Sequence, residues 1–245
     1  MRHNTAARFT HGFVIYESSA LPEGFHGKLL GIEPLQGQIV EAEIRALGST
    51  FETKDVSRPV TTDDPWFRPV DITDGPDGAL YIADFYEQRI DHASHYAGRI
   101  DRQSGRVYRV SAKSSASSAL FDFAAFSSEQ LVAMLREPNR WTRQTALRVL
   151  ADRRDRSTIP ILRRMLHEEA GQAALEALWA LHAARGLGED VVASLLDHAD
   201  PYVRLWTVRL ACDDGVVSPG IGERLAHLAS IETVSYTHLT LPTKA

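Results

Sequence analysis

At Ser111 the period of the sequence changes, and no single fold accommodates both sides of that change. Up to residue 110 the apolar residues come in short alternating runs, "GFVIYE", "GKLLGIEP", "GQIVEAEI", "GALYIADF" and "GRVYRVS", each introduced by glycine. β-branched and aromatic runs of four to eight residues bounded by turn formers read as antiparallel strands. From Ser127 the apolar residues recur at steps of three and four, beginning with Leu131, Met134 and Leu135 in "SSEQLVAML", which is the period of a helix. Ser127 and Gln130 form a capping box at the start of that run. Between the two regimes lies "SAKSSASS", five serines in eight residues with no large apolar side chain, which reads as a linker.

The expected organisation is therefore an all-β region over residues 1–110, a linker over 111–125, and an all-α region over 126–234. Further helical runs are expected at "RQTALRVLAD", "TIPILRRML", "GQAALEALWALHAA", "EDVVASLLDHA", "PYVRLWTVRLAC" and "GERLAHLAS". Three segments, "EPNRWTRQTALRVL", "EEAGQAALEALWAL" and "DHADPYVRLWTVRL", align with Arg143, Gln172 and Arg204 in register, 29 and then 32 residues apart. A period near 30 in paired helices defines an α-solenoid, in which each pair buries its apolar face only by stacking on its neighbours. The "DPYVR" element at Asp200–Arg204 has the style of a HEAT repeat. The last eleven residues, 235–245, "SYTHLTLPTKA", break this pattern and read as a non-native tail at the end of a truncated reading frame.

Composition removes several classes of function. Residues 1–112 carry 12 Lys+Arg against 16 Asp+Glu and residues 126–235 carry 13 against 15, so neither region is basic and nucleic acid is not an expected partner. No run approaches the ~18 apolar residues of a membrane span. The opening "MRHNTAARFTHGF" has no apolar core and is not a secretory signal, so either the protein stays inside the cell or its true start lies upstream. With one cysteine, Cys212, the chain has no internal disulfide, no CxxC pair and no CxxCH haem attachment. Cys212 lies in an apolar helical pattern and reads as a small core residue.

Taken together, "THGFVIYE", "HGKLLGIEPLQGQIV", "GSTFETKDV", "DDPWFRPVDITDGPDGALYIADFYEQRIDH" and "GRIDRQSGRVYRV" resemble the closing blades of the β-propeller in planctomycete-type membrane-bound dehydrogenases. These are the PVC-type haem-binding proteins, which are similar to quinone-dependent sugar and sorbosone dehydrogenases. The resemblance covers nearly all of residues 10–230 and is most specific at "WFRPVD…GPDGALYIADFY". It implies a β-propeller fragment, antiparallel and all-β, followed by an all-α HEAT-like solenoid. A propeller needs roughly 4 to 8 four-stranded blades of ~40 to 50 residues, so ~110 residues supply about two. The earlier blades and a signal peptide are then expected upstream of Met1. The resemblance further implies oxidation of a sugar-like alcohol or aldehyde in the full-length protein, a periplasmic or secreted location, and a helical region that acts as spacer or protein-docking surface. It implies a quinone and Ca²⁺ as cofactors, with haem c only in a further C-terminal module. In such enzymes a histidine takes the hydroxyl proton while hydride passes to the quinone and arginine steadies the charge; no residue of this chain is assigned that histidine role.

Four aspartates crowd into "RPVDITDGPDGALYIADFYEQR". Asp71, Asp74 and Asp77 are three apart, which does not match a Ca²⁺ loop of the EF-hand type. Asp74 and Asp77, beside Gly75 and Gly78, read as turn residues bonding local backbone. Asp84 shares the parity of Leu80 and Ile82, so it continues an inward-facing row and needs a donor, a cation or water at the strand's end. Arg68 is a candidate ion-pair partner for Asp71 or Asp84, either in a contact that binds ligand or in a salt-bridged corner that only staples the blade. Trp66, Phe67, Phe85 and Tyr86 read as packing between blades or as a stacking platform, with Trp66 and Tyr86 the pair to test first. The expected rim residues for substrate, cofactor or cation are thus Arg68, Asp71, Asp84, Tyr86 and Trp66, with none assigned as catalyst.

His92 and His95 are three apart but lack a third ligand and read as a surface loop. His11 and His26 stand alone. In the helical region Trp141, Trp179 and Trp206 fall at equivalent places and read as core between stacked helices. Arg143, Arg148, Arg204 and Arg209 read as surface or inter-repeat ion pairs. A non-enzymatic module binding a protein or polysaccharide is the alternative function. The isolated chain is expected to lack oxidoreductase activity, and its helical region to be the better folded part, with proteolysis starting in the serine linker.

Overall fold

A computed structural model describes residues 12–47, 50–88, 96–97, 101, 103–114 and 122–231. The chain divides into two compact units, residues 1–120 with 138–141, and residues 121–137 with 142–245.

The first unit is built from two antiparallel sheets. Strands β1 (Phe13–Ile15), β2 (Leu29–Glu33), β3 (Gln38–Leu47) and β4 (Thr50–Thr61) form a four-stranded sheet in chain order. Strands β5 (Pro69–Asp74), β6 (Leu80–Asp84) and β7 (Arg106–Val110) form a three-stranded sheet, also in chain order. Among the described residues the sheets form no closed barrel or propeller. The short connections are set by glycine where the backbone must enter the left-handed region. Gly37, in the β2–β3 turn, has φ +61°, and a Cβ there would lie 2.8 Å from the Phe67 carbonyl oxygen. Gly78, in the β5–β6 turn, has φ +75° and sits against the backbone nitrogens of Ser19 and Ala20.

One apolar core joins the two sheets. Val14, Tyr16, Leu30, Ile32 and Ile39 from the first pack with Phe67, Ile72, Leu80 and Ile82 from the second. Tyr16 is fully buried, and its hydroxyl donates to the Gly78 carbonyl at 2.7 Å and accepts from the Leu21 N–H at 2.8 Å. Burial pushes its phenol pKa up, so the hydroxyl stays a neutral donor in this position.

Seven α-helices are present among the described residues: α1 (Ser128–Met134), α2 (Arg140–Arg153), α3 (Ile159–Glu168), α4 (Gln172–Ala183), α5 (Glu189–Leu195), α6 (Pro201–Ala211) and α7 (Pro219–Ile231). The capping box closes as the sequence implies: Ser127 Oγ accepts from the Gln130 N–H, and Gln130 Oε1 accepts from the Ser127 N–H at 2.8 Å. Asp200 caps α6 by accepting the Tyr202 N–H at 2.8 Å, with Pro201 at the first helical position. Ala174, Ala177, Leu178 and Leu181 of α4 are fully buried.

The register of Arg143 and Arg204 has a structural meaning. Arg143 donates to the Glu137 carbonyl and Arg204 to the His198 carbonyl, in each case six residues back, at 2.9 and 2.8 Å. Each guanidinium thereby ties its helix to the chain preceding it. Arg143 is also buried and pairs with Glu176 at 3.2 Å, so it is a core residue here and not a surface cation. Trp179 and Trp206 meet edge to face with centroids 5.0 Å apart, and the Arg209 guanidinium lies 4.9 Å over the Trp206 ring. Arg148 is exposed. Cys212 packs beside Val192, Leu196 and Val208, and burial pushes its thiol pKa up, which makes it a weak nucleophile.

Candidate functional site

The site is assembled at the end of β6, where a chain reversal and a bulge meet. β5 and β6 pair Pro69 with Asp84 and Asp71 with Ala83, so one residue, Val70, is extra and the register shifts. β6 has the burial alternation of a half-covered strand, with Leu80, Ile82 and Asp84 inward. Asp84 is only 5% exposed.

The Asp84 carboxylate holds this corner through one oxygen. Its Oδ1 accepts the backbone N–H groups of Arg68 and Tyr86, both at 2.8 Å, while the Phe85 N–H donates to the Arg68 carbonyl at 3.0 Å. Its Oδ2 is buried with no hydrogen-bond partner. The Arg68 side chain turns elsewhere: its guanidinium donates to the Phe67 carbonyl at 2.8 Å and to the Gln88 carbonyl. The expected Arg68 ion pair with Asp71 or Asp84 is thus replaced, among the described residues, by a backbone contact to Asp84.

Asp71 is on the other face. It pairs with Ala83, one residue out of phase with Asp84, is exposed, and among the described residues accepts the Ile72 N–H at 2.9 Å. The two aspartates do not form one site.

Trp66 and Tyr86 do come together, with ring centroids 5.8 Å apart and a 31° tilt. Asp64 positions Trp66 by accepting its N–H at 2.9 Å. Tyr86 has φ +54°, a left-handed backbone rarely adopted by a bulky side chain, and the Asp84 carboxylate on its N–H supports that conformation. Arg106, at the start of β7 and in register with Asp84, places its guanidinium over the Tyr86 ring, 4.5 Å from its centroid. Sequence reasoning missed Arg106 because 21 residues separate it from Asp84 and only the β6–β7 pairing brings it back. Phe85 projects outward, 64% exposed.

The other two aspartates divide as well. Asp77 caps its turn by accepting the Ala79 N–H at 3.1 Å, receives the Tyr81 hydroxyl at 3.3 Å, and pairs with Arg109 at 2.6 Å. Asp74 is buried, and its carboxylate accepts from the Ser18 hydroxyl at 3.3 Å, 56 residues away; it ties the end of β5 to the bend after β1 instead of bonding local backbone. Burial alone would raise the Asp77 carboxyl, but the Arg109 and Ala79 hydrogen bonds outweigh it and hold the pKa below its ordinary value. The stability this contributes is present above the unfolded carboxylate pKa of about 4 and is lost as pH falls through the lowered folded value. Asp77→Asn is therefore expected to flatten the acid limb of a stability-against-pH curve for the β-unit; an unchanged limb would show that the pair contributes nothing.

His26 is exposed. His11, His92 and His95 lie outside the described residues, as do residues 115–121 of the linker and residues 232–245. Among the described residues no three His, Cys, Asp or Glu side chains converge as a metal site, and no helix is long and apolar enough to cross a membrane.

The architecture is thus a pair of antiparallel sheets followed by a helical solenoid whose arginines and caps repeat. A family model for HEAT repeats matches residues 128–212, and a model for a domain of unknown function (DUF7133) matches residues 1–114. The helical region is a HEAT-repeat region; neither description names a dehydrogenase or any other activity. No curated protein and no solved structure matches the chain.

Proposed function

We propose that residues 12–114 are two consecutive blades of a longer β-propeller whose full-length form oxidises a sugar-like alcohol or aldehyde, and that the HEAT region docks a protein partner. The observation that carries the propeller reading is the tandem of sheets, each running in chain order and sharing one core through Tyr16, Asp74 and the Gly78 turn. The sequence resemblance to quinone-dependent sugar dehydrogenases supplies the chemistry, and a periplasmic or secreted location follows from it. HEAT repeats present extended surfaces made by stacked helices, the usual basis of protein binding.

Among the described residues, those around Asp84 form no quinone or Ca²⁺ site. Asp84 spends one oxygen on two backbone N–H groups, Arg68 is committed to carbonyls, and no cluster of metal-type side chains surrounds them among the described residues. No catalytic step is therefore derived from them. Trp66, Tyr86 and Arg106 instead form a half-buried aromatic surface with a cation, suited to packing against a sugar ring at the rim. The same features favour a second reading, a propeller and HEAT module that binds polysaccharide or protein without chemistry.

Sugar-dependent reduction of an artificial electron acceptor, with quinone and Ca²⁺ supplied, separates the two. The polypeptide bearing its native upstream sequence is expected to turn over and the 245-residue chain is not. Failure of the longer polypeptide across a panel of sugars and aldehydes would sink the enzymatic reading.

A further inference from the structure

The loops after α2, α4 and α6 place different charges at their helix ends. After α2 and α4 the chain turns through Arg154 and Arg185, both in left-handed backbone, at φ +51° and +57°. A cation there complements the negative end of the helix dipole. After α6 the residue in that conformation is Gly215, 30 residues beyond Arg185, and Asp213 and Asp214 come just before it. Two carboxylates thus stand where a helix end favours a cation. Among the described residues neither aspartate side chain has a hydrogen-bond or ion-pair partner. A local rule broken without compensation inside the fold points to a demand from outside it.

Asp214 lines a cavity. A space of about 230 Å³ is bounded by residues of α4, α5, α6 and α7, with Leu187, Val216 and Val217 as apolar wall. Its second carboxylate is Glu189, at the start of α5, whose Oε1 accepts from the Ser218 hydroxyl at 2.5 Å. That bond fixes Glu189 against the chain leading into α7. Besides these two carboxylates the described lining has one titratable group, His182, and no lysine or arginine. The negative charge is therefore not neutralised within the cavity. Val216 is 78% exposed, which leaves an aliphatic surface open to solvent in the same wall.

We propose that this cavity takes an arginine side chain of a protein partner, its guanidinium between Asp214 and Glu189 and its methylene stem along Leu187, Val216 and Val217. The partner rests on the docking role proposed above for the HEAT region; the cation rests on the cavity alone. Guanidinium is selected over ammonium because its planar fork donates to two carboxylates at once and is the more weakly hydrated, so a partly apolar cavity costs it less. Its stem covers apolar wall while the charged head meets the carboxylates.

The probes are n-butylguanidinium, its neutral isostere n-butylurea, and a blocked Gly-Arg-Gly peptide, each titrated into the 245-residue chain and followed by amide chemical shifts. n-Butylguanidinium is expected to shift the amides of 187–189 and 214–218 to saturation and to bind at least about tenfold more tightly than n-butylurea. Asp214→Asn is expected to weaken it about tenfold with the midpoint of thermal unfolding unchanged or higher, because the carboxylate it removes opposes the helix dipole. Equal affinity for the two small probes, no binding of either, unchanged affinity in Asp214→Asn, or weakening only in company with a lower midpoint overturns the site. The peptide is expected to bind at least as tightly as n-butylguanidinium. The two failures differ: no guanidinium binding removes the cavity's role and leaves the docking reading standing, whereas guanidinium binding with exclusion of the peptide removes the protein source and leaves a site for a free small cation.

Discussion

Arg143→Ala is expected to destabilise the helical unit by about 3–5 kcal/mol, the largest effect of any single substitution considered for that unit. Glu176 has a side chain with no exposure at all, and its Oε1 accepts from Arg143 Nε at 3.2 Å and from Gln172 Nε2 at 2.9 Å. Removing the guanidinium leaves a buried carboxylate with one amide donor, and it also frees the Glu137 carbonyl that Arg143 holds at 2.9 Å. The energy lies in breaking the pair, not in having it: a well-packed apolar pair of similar volume is often as stable as a buried salt bridge. Arg143→Met with Glu176→Leu should therefore recover most of the loss, giving a large coupling in a double-mutant cycle. Denaturant unfolding followed by helical circular dichroism checks both statements. A loss of under about 1 kcal/mol for Arg143→Ala, the value of an exposed pair, would contradict the burial argument.

Asp84→Ala is expected to cost the β-unit about 2–3 kcal/mol, whereas Asp84→Asn costs about 1 kcal/mol or less. The alanine variant strips the acceptor from two backbone N–H groups, Arg68 and Tyr86, and from a Tyr86 backbone already held at φ +54°. Asparagine keeps the accepting oxygen at Oδ1, and the buried Oδ2 it replaces has no partner to lose. Faster exchange of the Arg68 and Tyr86 amides in the alanine variant only, together with loss of the Trp66–Tyr86 ring contact, is the expected signature. Equal damage from both variants would mean that the negative charge, and not the acceptor geometry, holds the corner.

Much of the fold was legible because local chemistry and tertiary demand agree. Ser127 and Gln130 cap α1 and Asp200 caps α6, and the 3.6-residue period survives into buried alanines and leucines in α4. β4 and β5 carry no strand pattern in the sequence. β4 alternates charge with little apolar content and contains Pro59, and its strand state comes from pairing with β3 through nine residue pairs. β5 begins on Pro69 and carries Asp71 and Asp74, which signal turns locally but sit in a ladder with β6.

The candidate site was legible in part for the same reason. Parity alone places Asp84 inward, and the structure has it 95% covered. The Trp66–Tyr86 contact follows from both flanking the two ends of one β5–β6 hairpin. The fate of Arg68 did not follow, because backbone carbonyls carry no sequence signal and compete with carboxylates for a guanidinium. Asp74 misled because its partner, Ser18, lies 56 residues away in the bend that follows β1. Of the two readings of Arg143, surface cation or inter-repeat ion pair, the structure shows the second: its carboxylate partner Glu176 lies 33 residues away on another helix.

The measurement that tests the central claim most directly is the structure of the polypeptide with its native upstream sequence. The account predicts further antiparallel four-stranded sheets arranged as a closed ring, with β1–β4 and β5–β7 as neighbouring blades and the Asp84 corner at one rim of the channel. A two-sheet sandwich completed by residues 12–114 alone, with the upstream sequence folded as a separate domain, would contradict it.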